Sequence, residues 1–360
     1  MERYARIRSA MLREGFDALM LTEEYNRFYA SGFPSPGTDG LSLITKEHAY
    51  YFTDERYTVA AQRAIREAEL ALISPGRGYI ALVNEVIRRE HIQVLGFDEQ
   101  SMTVAACERY KKQLDCELLG CSGLMSRLRT VKDEEEIRRL KKAQRISEQA
   151  LAEVLPHIRA GVTEKEIAAK LQYFMLLHGA EKMSFDPIVV SGENGAMPHG
   201  VPGEKQIRAG EFVTMDFGCV AEGYCSDMTR TVAVGFATEE MRKVYDTVLR
   251  AQQAGIAATK AGVSAKSVDL AARNVISDAG WGQYFSHSYG HGVGVEIHET
   301  PNISPANDML LPVGAITSAE PGIYLPGKFG VRIEDVVVVT EDGCIDLAEA
   351  PKELLILPEK

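Results

Sequence analysis

The sequence has no Cys-x-x-Cys pair, no Lys/Arg-rich block and no apolar run approaching the thickness of a bilayer. Its six cysteines, Cys107, Cys116, Cys121, Cys219, Cys225 and Cys344, are scattered through a chain too long to need covalent staples, which excludes a disulfide framework. They read as reduced, mostly buried thiols, and no Cys219–Cys225 disulfide is expected although the two flank a hairpin. The missing basic block, with a net charge of −11 and a pI near 5.4, excludes a nucleic-acid partner, because phosphate contacts need a basic face. The missing apolar run excludes a membrane-spanning helix, and the charged, amphipathic start MERYARIRSAMLREG does not resemble a signal peptide. The expected compartment is the cytoplasm. Short-period repeats and low-complexity tracts are absent as well.

What is present is an ordinary globular composition, 45% hydrophobic and 25% charged, over 360 residues, enough for two cores. The first third alternates helical and strand-like patterns. A helix is expected over 2–14 from Tyr4, Ile7 and Met11, then a strand over 16–21 and a hairpin from 41–44 and 49–52. A helix over 54–68, a strand over 70–73, a helix over 79–89 and a strand over 94–97 complete a small α/β domain. The rhythm is lost between Gly120 and Lys132, so the boundary is placed within 122–132, giving domains 1–125 and 126–360. Asp133 with Glu136 and Thr163 with Glu166 form capping boxes that open helices to about Val154 and His178. Val/Thr-rich hairpins, helices over 238–260 and 264–279, and strands from Ala315 onward follow. Strands and helices that do not strictly alternate make this larger part α+β.

The run VTMDFGCVAEGYCSDMTRT carries the chemistry. With a turn over Val220–Gly223, Asp216 and Asp227 fall approximately opposite each other on one strand face, their Cβ atoms about 5 Å apart. Thr214, Thr229 and Thr231 make that face polar. Taken alone, the pair reads as a solvated hairpin with both aspartates facing water. However, SHSYGHGVGVEIHE places His287, His291 and His298 among glycines that permit close approach. A lone histidine would more often be structural; three within twelve residues weaken that reading. Glu320 precedes Pro-Gly at the end of a strand-like run, where a turn would expose it. Glu334 shares a strand face with Arg332 in an apolar run, where it needs either a cation or an internal Arg332–Glu334 pair. Four carboxylates and an imidazole suit divalent ions, Mn²⁺ first and Co²⁺ or Zn²⁺ next, rather than a thiolate zinc site. One divalent ion leaves two of the four negative charges uncompensated and two ions leave none, so two ions per chain are expected. Such a pair supports hydrolysis.

Taken together, PHG, MDFG…SDMTR, GHGVG, IHE, AEPGIY and RIED resemble the prolidase and aminopeptidase P family, whose catalytic domain has the pita-bread fold and follows a smaller α/β, creatinase-like N-terminal domain. The resemblance implies that Asp216, Asp227, His291, Glu320 and Glu334 are metal ligands. Asp227 and Glu334 would bridge the ions, Asp216 would hold one, and His291 with Glu320 the other. A water between the ions would attack the scissile carbonyl of an Xaa-Pro bond, with Glu320 taking its proton. His199, His287 and His298 would orient the substrate and stabilise the intermediate. Arg332 would hold Glu334 or a substrate carboxylate. The implied partners are peptides with proline at the second position and a second subunit in a homodimer. The stretch FTDERY is also similar to the family's N-terminal domain, although Asp54 is equally a plain N-cap and Arg56 a plain surface residue.

Dipeptidase and aminopeptidase activities both stay open, since one needs a cap for the free carboxylate and the other an open channel. A creatinase-like amidinohydrolase or a binding protein would be expected to have lost ligands, and all five are here. A dinuclear phosphoesterase uses the same ligand types but needs a basic clamp, whereas this constellation has one arginine.

Overall fold

The computed structural model describes residues 3–360, which form two compact units, one ending at Arg129 and the other beginning at Thr130. The first residue of the expected 2–14 helix lies outside the described residues. The first unit holds a six-stranded mixed sheet made of β1 (Ala18–Leu21), β2 (Leu41–Thr45), β3 (Ala49–Thr53), β4 (Glu69–Leu72), β5 (Val94–Phe97) and β6 (Glu117–Gly120). The strand order is β4-β3-β2-β1-β5-β6, with β1–β2–β3 antiparallel and the outer pairs parallel. Both faces are covered. Met20 packs with Leu82, Val83 and Val86 of the helix Tyr79–Glu90, while Leu19 and Leu21 pack with Tyr4, Ile7 and Met11 of the helix Arg3–Arg13.

Sequence reading missed the helix Glu24–Ser31 and strand β6 outright and misread three further stretches of this unit. The helix expected over 54–68 is a 3₁₀ turn, Glu55–Tyr57, capped by Asp54, followed by Thr58–Ala64. The helix Val104–Gln113 gave no signal because it buries only Tyr110, so its apolar period is faint. The stretch without rhythm holds the helix Leu124–Thr130, entered through left-handed Ser122 and Gly123.

The second unit sandwiches its strands between two helix pairs. Helices α1 (Glu134–Val154) and α2 (Glu164–Leu177) open on the expected capping boxes, and α3 (Glu239–Ala258) and α4 (Ala265–Asp278) form the second pair. The strands are β7 (Lys182–Met183), β8 (Ile188–Ser191), β9 (Phe212–Phe217), β10 (Cys219–Ala221), β11 (Tyr224–Cys225) and β12 (Met228–Val234), then β13 (Gly290–Gly292), β14 (Glu299–Ile303), β15 (Ile316–Ala319), β16 (Gly322–Leu325), β17 (Phe329–Arg332), β18 (Asp335–Val339), β19 (Cys344–Asp346) and β20 (Ile356–Leu357). One sheet has the order β20-β12-β9-β8 and another β15-β18-β19; β16–β17 and β13–β14 are two-stranded. Strand alternation sorts β9: Val213, Met215 and Phe217 pack beneath α1 and α2, whereas Phe212 joins the core beneath α3 and α4. Along that inner face the sequence turns polar, from Phe212 to Thr214 to Asp216, and the cavity begins there. The fold class is the expected one: an α+β catalytic unit preceded by a smaller α/β unit. All six cysteines are free.

Candidate metal centre

The opening hairpin differs from expectation in one respect. Its turn is the two-residue pair Glu222 (φ 49°) and Gly223 (φ 75°), a type I′ geometry, rather than four residues. The register therefore pairs Asp216 with Thr229, and its continuation sets Asp227 across from Gly218. The two aspartates are diagonal neighbours on one face, not directly opposed. Gly218 permits this crossing, since a Cβ there would lie 2.0 Å from Ser226 O.

His291 sits in β13 between Gly290 and Gly292, whose absent side chains leave room for Ser318 O and Thr300 O; Cβ atoms there would come within 2.1 and 2.5 Å. This is why the glycines surround it. Its Nδ1 faces Gly292 O at 3.1 Å, which assigns the proton to Nδ1 and leaves Nε2 as the donor atom toward the cluster. Nε2 lies 3.2 Å from Glu320 Oε1 and 3.5 Å from Asp227 Oδ2. Ser318 Oγ accepts from His291 N at 3.0 Å and donates to Glu320 Oε1 at 3.0 Å, tying the two together. Glu320 is largely enclosed, with a side-chain exposure of 16%, rather than exposed by its turn.

Glu334 is not inside a strand. β17 ends at Arg332, β18 starts at Asp335, and Glu334 forms an isolated bridge with Thr229, whose Oγ1 donates to Glu334 Oε2 at 2.6 Å. The alternative of an Arg332–Glu334 pair is replaced by another one. Arg332 Nη2 donates to Asp216 Oδ2 at 2.6 Å, Nε to Thr229 Oγ1 at 3.1 Å, and Nη1 to Tyr324 Oη at 2.9 Å. Tyr324 Oη donates onward to His287 Nε2 at 2.8 Å, while His287 Nδ1–H donates to Ser288 O at 2.8 Å. Sequence reasoning missed Tyr324, Thr229 and Ser318. Gly322, two residues before Tyr324, makes room for its hydroxyl, since a Cβ there would lie 2.4 Å from Tyr324 Oη, but a glycine after proline carries no such signal in the sequence alone.

All nine expected site residues line one cavity of about 600 Å³. His199 stands exposed at its rim, and the His298 ring meets the His291 ring edge-on at 4.3 Å. Donor atoms of Asp227, His291 and Glu334 lie within 4.8 Å of one another. Burial pushes Asp227 and Glu334 well above the usual carboxylate range, reinforced by the neighbouring carboxylates. Burial also raises Asp216, with Arg332 opposing it. Burial works against ionisation of both His291 and Glu320, but their mutual contact prevails and holds them as an ion pair, His291 up at about 9 and Glu320 down at about 2. Burial lowers His287 and His298, so both are neutral imidazoles.

Whether a cation fits can be judged from the donors. Asp216 Oδ1 is buried without a hydrogen-bond partner, and burial, reinforced by the neighbouring carboxylates, pushes Asp227 and Glu334 toward their protonated forms. Oxygen donors with one imidazole nitrogen suit divalent ions, and the residues fit.

The sequence matches metallopeptidase family M24 over residues 138–341 and the creatinase/prolidase N-terminal domain over residues 3–131. It is 36% identical to an Xaa-Pro dipeptidase from Pyrococcus horikoshii, covering 98% of this chain and 99% of that one. Among solved structures it is similar to an Xaa-Pro dipeptidase from Bacillus anthracis, with a TM-score of 0.93 and 42% identity, covering 99% of each chain. It is also similar to an X-Pro aminopeptidase from Thermotoga maritima, with a TM-score of 0.92 and 37% identity, covering 99% of this chain and 100% of that one.

Proposed function

The chain belongs to metallopeptidase family M24 and is a metallopeptidase; from that premise we propose that it cleaves the Xaa-Pro bond at the N-terminus of dipeptides or short peptides. Asp216, Asp227, His291, Glu320 and Glu334 would hold two divalent ions, Mn²⁺ first among them. The observation that carries this reading is the convergence on one cavity of four carboxylates and an imidazole whose Nδ1 is engaged by Gly292 O, with one buried carboxylate oxygen unpartnered. Bound there, the ions supply Lewis acidity, which activates water and polarises the scissile carbonyl.

The protein's own groups do the rest. Glu320, ionised and steadied by Ser318, accepts the proton of the attacking water. His298 and His199 line the same cavity and donate to the oxyanion developing at the carbonyl. Both nitrogens of His287 are engaged, so it acts on the substrate through Tyr324 and by shape. Arg332 commits four of its five N–H groups, to Asp216, Thr229, Tyr324 and Pro198 O, which makes it the holder of Asp216 rather than a clamp for a substrate anion. The same commitment argues against phosphoesterase chemistry, because no other Lys or Arg lines the cavity among the described residues.

Dialysis against chelator is expected to abolish Xaa-Pro hydrolysis, with recovery on Mn²⁺ or Co²⁺. Undiminished turnover after metal removal would sink the proposal. In a panel of Ala-Pro, Ala-Pro-Ala, Met-Ala-Ser, creatine and nitrophenyl phosphate, only the first two should react. Their ratio decides between dipeptidase and aminopeptidase.

A further inference from the structure

The four carboxylates of the ligand set are divided between two halves of the strand layer, with His291 on the separate β13–β14 pair. Asp216 and Asp227 ride on the β9–β12 hairpin, while Glu320 and Glu334 adjoin β15 and β18. Where β12 crosses toward β17 and β18, Glu334 N donates to Thr229 O at 3.2 Å in an isolated bridge, and two residues on, Thr231 Oγ1 donates to Arg332 O at 2.9 Å; the bridge is the link that reaches Glu334 itself. Thr229 lies two residues after Asp227. The geometry of this one crossing therefore sets how far the Asp227 carboxylate stands from the Glu334 carboxylate.

Arg230 straddles the crossing. Its Nη1 donates to Thr229 O at 3.0 Å and to Glu334 O at 2.8 Å, one carbonyl from each side. Nη2 donates to Asp335 Oδ1 and to Ala350 O, both at 2.8 Å, and Nε to Pro351 O at 2.9 Å. The guanidinium is held from behind as well. Asp335, fully buried, accepts through Oδ2 from Lys352 Nζ at 2.6 Å and Gln252 Nε2 at 2.8 Å. A planar fork with fixed donor directions can take both carbonyls at once; an ammonium on a flexible stem holds neither direction. On the cavity side Thr229 Oγ1 makes the matching link, donating to Glu334 Oε2.

We propose that Arg230, acting with Thr229, is a positioning residue that sets the spacing between the two halves of the metal-binding set, and so its affinity for the ions. This rests on the reading of the cavity as a metal centre. Arg230 touches neither substrate nor ligand side chains; it acts through the backbone that carries Glu334.

The test is calorimetric titration of the chelator-treated full chain with Mn²⁺, alongside thermal melting, for wild type, Arg230→Lys, Thr229→Val and Tyr245→Phe. The last variant cuts a tether of the same C-terminal segment, the Tyr245 Oη–Lys352 O bond of 2.8 Å, while leaving in place every group that hydrogen-bonds to Thr229, Arg230 or Glu334. Arg230→Lys and Thr229→Val are expected to bind Mn²⁺ at least about tenfold more weakly, the usual effect of removing a group that orients ligands. Tyr245→Phe should lose Tm yet bind Mn²⁺ as wild type does. Wild-type affinity and stoichiometry in both crossing variants, with only Tm lowered, would overturn the proposal. If Arg230→Lys does not fold, Thr229→Val, nearly isosteric, decides alone. Wild type that takes up no divalent ion would overturn the metal reading itself, a separate result.

Discussion

Tyr324 shows how a single side chain joins groups that sequence reasoning treated separately. Its hydroxyl receives Arg332 and gives to His287, so an arginine fixed on Asp216 and a neutral histidine on the cavity wall share one hydrogen-bonded chain. Burial raises its phenol to about 12, which keeps the proton available for donation at any working pH. Replacing Tyr324 by Phe keeps the ring and removes the link. His287 Nε2 then loses its donor and Arg332 one acceptor. We expect kcat on Ala-Pro to fall about tenfold, the scale of losses from orienting hydrogen bonds around metal sites, with metal content and Tm nearly unchanged. Steady-state kinetics paired with elemental analysis checks this; an unchanged kcat would mean the link is ornamental to the reaction. None of it was legible in the sequence, because a tyrosine in a strand-like run looks the same whether its hydroxyl meets water or a buried arginine.

At the level of elements, legibility followed how local the cause is. The capping boxes Asp133/Glu136 and Thr163/Glu166 are self-contained within one turn, and both formed as read. His291 among glycines was readable because close backbone approach has only one inexpensive solution. The hairpin was readable as a hairpin, but its register was not. Glu222 adopts a left-handed conformation that a glutamate rarely takes, held by ion pairs to Arg138 and Lys142 on α1, so the turn is two residues long where the sequence suggested four. Glu334 was misjudged for a similar reason. The strand-like spelling VRIEDVVVV, with no glycine or proline to mark it, hides the break between β17 and β18 that aims its carboxylate into the cavity. Gly218 is the sharpest test of the hairpin geometry. Gly218→Ala brings a methyl group to 2.0 Å from Ser226 O, a backbone atom that cannot turn aside. The strands beside Asp227 must then part. We expect stability to fall by at least about 1–3 kcal/mol, as for overpacked interiors, together with weakened Mn²⁺ binding. Denaturant unfolding with and without Mn²⁺ measures both, and a variant as stable as wild type would contradict the crossing described.

Over the whole molecule, the buried carboxylates make stability depend on pH in a direction that depends on the metal. Asp227 and Glu334 have folded values raised well above 3.8 and 4.5, so their favourable protonated state is fully present below those ordinary values and is lost as pH rises through the raised ones. His291 is raised from 6.5 to about 9, so its contribution is present below 6.5 and disappears as pH climbs through 9. Glu320 runs the other way, but its contribution is lost only as pH falls from 4.5 toward 2, outside the neutral and alkaline range. Between pH 6.5 and 9, then, His291 stabilises the metal-free chain progressively less, while His287 and His298, lowered from 6.5, complete only the small end of their gain just above 6.5, so the loss at His291 dominates. Each group in transit contributes a slope of up to about 1.4 kcal/mol per pH unit. Bound divalent ions remove the cause, since they take the place of the protons and favour the deprotonated ligands. They also stabilise the folded state by mass action. The chelator-treated protein is therefore expected to show a Tm that declines from pH 6.5 to 9, whereas the Mn²⁺-loaded protein holds or gains Tm over the same interval. The gap between the two should widen with pH. A metal-free Tm that stays level across that range would mean the cluster does not carry the protons that its crowding implies, and the case for a cation there would lose its electrostatic support.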